Sequence, residues 1–164
     1  QKWKRPVTSK RYYLIVIVSL ILASVLQLIP TSAAWLPWKP NFLLLMVIGW
    51  ITFQPNHWGI GFAAFVGFLT DLVFRSPLGL HVFLFVFIGA VPYLLSGWLI
   101  YFNVIHRCVL VFILIIFSGF LSNFMYSVWG VPVGYGDVPL GAISSVLIWP
   151  LIDRFLVKVH EKRR

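Results

Sequence analysis

Apolar residues fill six long runs, separated by short breaks rich in Pro, Gly, Trp and charge. The runs cover residues 12–29, 41–57, 57–74, 79–102, 108–129 and 138–157. A helix rises about 1.5 Å per residue, so about 20 apolar residues cross roughly 30 Å of hydrocarbon. Five runs meet that length. The second is apolar only over 41–53 and reaches about 20 Å on its own. It must extend to His57, thin the bilayer or be shielded by neighbours. Pro30 ends the first run, and Pro92 lies within the fourth. A proline there kinks the helix and frees a carbonyl, which then needs a neighbour or water. The pattern predicts an all-α integral membrane protein, a single bundle of six transmembrane helices forming one domain over 1–164. No break exceeds about a dozen residues, so there is no room for a soluble domain of ordinary size.

Composition agrees. Hydrophobic residues make up 60% and charged residues 10%, against about 25% charged in a soluble globule. Between residues 12 and 152 the only charges are Lys39, Asp71, Arg75, Arg107 and Asp137. The net charge of +9 raises nucleic acid as a partner, but the distribution excludes it. Ten of the thirteen basic residues sit at the ends: Lys2, Lys4, Arg5, Lys10 and Arg11, then Arg154, Lys158, Lys162, Arg163 and Arg164. Basic flanks beside apolar runs mark cytoplasmic segments that face anionic lipid. Two basic ends demand an even number of crossings. Six crossings also place Arg107 inside and leave Lys39 and Arg75 outside. The expectation is therefore a multi-pass protein with both termini cytoplasmic. The first run is too long for a signal peptide, and Trp35, Pro37 and Lys39 follow it in place of a small-residue cleavage site, so it reads as a retained helix.

Few side chains offer chemistry. An ionisable group within an apolar run is costly, about 2.5–3.5 kcal/mol at mid-membrane on insertion scales, which makes Asp71 a candidate functional residue. Arg75 follows at i+4, so an interfacial ion pair that sets helix depth stands beside a partner contact as a reading. Gly59, Ala63, Gly67 and Asp71 recur every four residues. This places small side chains along one helix face, where another backbone can approach closely, within this chain or from a partner. Ser118, Ser122 and Asn123 in the fifth run, and Gly141 and Ser145 in the sixth, read as bundle-interior positions. Asp71, His81 and Asn123 together could line a polar cavity open to the periplasm. His57, His81, His106 and His160 lie far apart at run ends and suit no metal. Cys108 has no partner cysteine and reads as a small hydrophobe. Asp137 stands alone in a turn, and Asp153 with Arg154 reads as a solvated anchor. No carboxylate pair or activated nucleophile is legible, so neither catalysis nor a cofactor is expected.

One ordered set of motifs is recognisable. Lys39-Pro40-Asn41 opens into Phe42-Leu43-Leu44-Leu45. Gly61, Gly67 and Asp71-Leu72 follow, then Ser76-Pro77-Leu78-Gly79, with Trp149-Pro150 near the end. In order and spacing this set resembles the rod shape-determining MreD family of Gram-negative bacteria over nearly the whole chain. The resemblance implies a cytoplasmic-membrane component of the elongasome, or rod complex, working with MreC, MreB, the RodA glycosyltransferase and a class B penicillin-binding transpeptidase. It implies no enzymatic activity, and a fold similar to the substrate-binding subunits of energy-coupling-factor transporters. Gly67, Asp71, Pro77, Leu78 and Gly79 match the family pattern, for fold or partner contact. The expected function is a non-catalytic scaffold that binds MreC and supports lateral peptidoglycan synthesis and rod shape. The alternative is a membrane subunit that binds a small solute or lipid in the polar cavity.

Overall fold

The computed structural model describes residues 10–99 and 101–161, and every regular element among them is helical. The basic residues Lys2, Lys4, Arg5, Lys162, Arg163 and Arg164, on which the expected orientation leans, lie outside the described residues. Helix α1 is Lys10–Leu28, and Pro30 stands just past its end. A 3₁₀ turn, Leu36–Trp38, leads into α2, Phe42–Phe53. Asn41 caps α2 by accepting the Leu44 N–H on its side-chain oxygen at 3.2 Å, which satisfies one of the donors left open at a helix start. Then come α3, Ile60–Phe74, and α4, Leu80–Leu94. The short α5 is Ser96–Leu99, and the long α6 and α7 are Val104–Val128 and Val138–Glu161.

Four stretches are long and apolar enough to cross a membrane: Lys10–Leu28, Leu36–Phe53, Val104–Val128 and Val138–Glu161. Helices α3 and α4 are apolar but only 15 residues each, about 22 Å at a helical rise. The fourth run departs from expectation. Instead of one kinked helix over 79–102 it holds two, α4 and α5, broken at Leu95. Pro92 has no N–H to return to the preceding turn, and α4 ends two residues beyond it. Helix α6 starts at Val104, four residues earlier than the apolar run, and so includes Arg107, which finds a buried partner described below.

The short α2 is central. Leu44, Leu45, Val47, Ile48 and Ile51 are completely buried, and Trp50 is nearly so. A helix that is apolar all round must be covered all round, and α1, α3, α4 and α7 all pack on α2. That cover explains how a helix of 12 residues can sit in an apolar core without crossing the bilayer alone. The outer faces stay apolar: Leu14 and Leu22 on α1, Ile113 and Phe117 on α6, and Leu151 on α7 are exposed. Continuous exposed apolar surface on this scale belongs in lipid or against another apolar chain.

Several polar groups inside the bundle are paired. Trp50 donates its indole N–H to Ser19 Oγ at 3.1 Å, joining α2 to α1. Tyr12 donates to Gln54, and Trp58 Nε1 donates to the Tyr12 hydroxyl at 2.6 Å, tying the start of α1 to the α2–α3 connection.

Candidate functional site

Asp71 lies in the last turn of α3 and is 1% exposed. Its Oδ1 accepts the Ser76 hydroxyl at 2.7 Å, the His81 backbone N–H at 3.0 Å and His81 Nδ1 at 2.8 Å. Its Oδ2 accepts the Gly79 N–H at 2.8 Å. A carboxylate is acceptor-only, so Nδ1 of His81 carries the proton in this arrangement. The carboxylate thus caps α4 from the neighbouring helix, taking N–H groups that the start of α4 cannot satisfy internally. The turn between the helices is shaped to allow it. Arg75 is left-handed, with φ 51°, and Gly79 has φ 97°, a conformation open to glycine at little steric cost. The Leu80 N–H closes the turn on the Pro77 carbonyl at 3.1 Å.

The expected Asp71–Arg75 ion pair does not form. An i, i+4 pair requires helix through both residues, and α3 ends at Phe74. Arg75 turns away in the left-handed region, and His81 takes the place expected of it.

The stripe above Asp71 faces α4 of the same chain. A Cβ on Gly67 would lie 2.5 Å from the His81 carbonyl oxygen and 2.7 Å from Val82 Cα. One on Gly89 of α4 would lie 3.1 Å from Ala63 Cβ, and one on Gly59 would lie 3.4 Å from the Tyr93 ring. The absence of side chains lets the two backbones touch, and that contact brings the start of α4 within reach of Asp71.

Asn123 belongs to a different place. His81 lines a cleft of about 330 Å³ with Gln27, Asn41, Thr70, Phe74 and Tyr126. Asn123 lines a second cleft of about 400 Å³ with Lys39, Asn41, Ser118 and Asp137, and its Nδ2 donates to the Gly134 carbonyl at 2.9 Å. The single cavity expected from Asp71, His81 and Asn123 is therefore divided, with Asn41 on the wall between its halves. Position along the helices put the three at one level, but their places around the bundle differ.

One constellation was not legible in advance. Asp153, expected as a solvated anchor, is 1% exposed. Arg107 meets it with one hydrogen bond, Nη2 to Oδ2 at 3.1 Å, and an ionic contact of Nε with Oδ1 at 3.0 Å, a charged pair between α6 and α7. The guanidinium also lies over the Phe53 ring at 5.2 Å. The six-run topology held the signal, since it places these opposite charges on consecutive helices near the same membrane face.

A third feature is apolar. Helices α1 and α7 both pack on α2, and an open groove of about 860 Å³ runs between them, lined by Leu14, Val18, Leu22, Met46, Leu151 and Phe155 among others.

Residues 8–159 match the family model described as rod shape-determining protein MreD. The chain belongs to the MreD family. The rod shape-determining protein MreD of Haemophilus influenzae is 28% identical over 149 residues, which is 87% of this chain and 88% of that relative. No solved structure matches the chain. The MreD match runs from the N-terminal residues through almost all of α7, so the Asp71 cap, the Arg107–Asp153 pair and all three clefts lie inside it. Membership of MreD and the apolar helices together make the chain a multi-pass membrane protein of a rod shape-determining, structural family.

Proposed function

We propose that this chain is a non-catalytic scaffold of the rod complex in the bacterial cytoplasmic membrane, binding MreC and supporting lateral peptidoglycan synthesis. It crosses the membrane six times, with both ends in the cytoplasm and the α3–α4 turn in the periplasm. RodA, the class B transpeptidase and MreB are its wider partners in the complex. A fold like that of the energy-coupling-factor substrate-binding subunits, which the family resemblance implies, fits the same scaffold.

The observation that carries this reading is the groove between α1 and α7. It is almost wholly apolar, open to the side, and floored by Phe42 and Met46 of α2. A transmembrane helix of a partner is the occupant such a surface suits, because van der Waals packing drives helix association where lipid removes the hydrophobic term. The buried charges fit a structural role. Asp71 and Asp153 are both consumed by partners inside the chain, His81 with Ser76 and Arg107.

Affinity purification of the full chain from membranes tests the proposal. MreC should stay with it through detergent extraction and size exclusion. Loss of MreC from an intact, folded chain that instead retains a small molecule would favour a solute-binding subunit over a scaffold.

A further inference from the structure

The cleft beside Asn123 carries two opposite charges that do not meet. Lys39 and Asp137 both line it. The ion pairs among the described residues are His81 with Asp71 and Arg107 with Asp153, so Lys39 and Asp137 stand apart across the space. Lys39 donates one N–H to the Ile29 carbonyl at 2.7 Å, which leaves two free. No hydrogen bond among the described residues engages the Asp137 carboxylate.

The room between them is made by small residues. Ala33, Ser118, Gly119, Gly134 and Gly141 line the cleft, and a Cβ on Gly141 would already lie 3.4 Å from the Pro37 carbonyl oxygen. The polar groups divide into two ends. Lys39 and the spare amide N–H groups of Asn41 suit an anion, and α2 begins beside them with its positive dipole end. Asp137 and the free side-chain oxygen of Asn123 suit a cation that can donate hydrogen bonds. A ligand that carries both an anion and an ammonium meets the chemistry of both ends.

Position selects the source of that ligand. Trp35 and Trp38 lie in the connection that leads to Lys39, and Trp129 at the end of α6 and Tyr135 precede Asp137; all four are exposed. Such rings mark the headgroup level of a bilayer. Leu36, on the rim, is 59% exposed and offers apolar surface for a chain that continues into the membrane. We propose that the cleft between Lys39 and Asp137 is a binding site for the headgroup of a zwitterionic ethanolamine phospholipid, the phosphate toward Lys39 and the ammonium toward Asp137. A choline headgroup keeps the charge but has no N–H to give Asp137, and a glycerol headgroup has no cation.

The test is native mass spectrometry of the full chain released from vesicles of ethanolamine, choline or glycerol phospholipid with identical acyl chains. The ethanolamine lipid should be retained about tenfold better than either other, the scale of one well-made charge-assisted contact. Asp137→Asn should remove most of that preference and Lys39→Gln should weaken retention of all three lipids, neither lowering the thermal unfolding midpoint. Equal retention of the three lipids by the wild-type chain overturns the proposal. So does an Asp137→Asn chain that keeps the preference, or a Lys39→Gln chain that retains all three lipids as the wild type does, and so does displacement of the lipid by an equal concentration of soluble glycerophosphoethanolamine, which would assign the cleft to a free solute. The proposal is independent of MreC binding, which a chain without headgroup preference would retain.

Discussion

His81 Nδ1 lies 2.8 Å from Asp71 Oδ1, and the backbone N–H of His81 reaches the same oxygen at 3.0 Å. One residue thus presents both its main chain and its ring to a single carboxylate ten positions earlier. That double contact helps to close the α3–α4 hairpin, beside the turn bond from Leu80 to Pro77.

Removing the carboxylate leaves Ser76, Gly79 and both donors of His81 without their acceptor. Asp71→Ala should destabilise the chain by roughly 3–5 kcal/mol, the usual cost of breaking a buried charged pair from one side. Arg75→Gly should be neutral or gain up to about 1 kcal/mol, because the left-handed conformation is strained for arginine and free for glycine. Thermal unfolding of the two purified variants in one detergent compares them. Equal losses would restore Arg75 as the partner of Asp71.

Gly67 and Gly61 are both in α3 and should behave oppositely. A Cβ on Gly67 meets the α4 backbone at 2.5 Å, while one on Gly61 meets nothing within 4 Å. Gly67→Ala should cost at least the roughly 1–3 kcal/mol of overpacking, since backbone cannot rotate aside. Gly61→Ala should be neutral or stabilise by up to about 1 kcal/mol through helix propensity. Unfolding midpoints and membrane levels read the difference.

The pair between α6 and α7 should couple strongly. Arg107→Met or Asp153→Leu alone strands a buried charge and should cost roughly 3–5 kcal/mol. The double substitution should cost clearly less than the sum of the two. A double-mutant cycle on unfolding free energy measures this. Additive losses would mean that the two charges act separately.

Much of the fold was legible because the bilayer fixes the length of an apolar run, and five runs of that length stand out beside one shorter run. Their breaks were less legible. Pro92 announced a kink, but whether the chain resumes as one helix or two depends on what packs around Leu95. Asp71 was recognisable as a buried charge from its apolar neighbours. Its partner was not, because the i, i+4 argument for Arg75 fails once the helix stops one residue short, and Ser76-Pro77-Leu78-Gly79 already carried the turn signals that stop it. Asp153 sits in a polar last stretch that reads as solvated. Its burial comes from Arg107, 46 residues away, and no local pattern encodes that distance. Asn123 and Asp71 are both polar residues in apolar runs, and the sequence does not tell their surroundings apart. Hydropathy gives depth along a helix but not position around a bundle.

The scaffold reading is tested most directly by disulfide crosslinking in living cells, in a Cys108→Ser background. Single cysteines at Leu22 and Leu151 sample the groove, and Val109 and Phe117 sample the outer face of α6. The account predicts crosslinks to the transmembrane helix of MreC from the groove positions and none from α6. Crosslinks confined to α6, or none from the groove in cells that keep their rod shape, would contradict it.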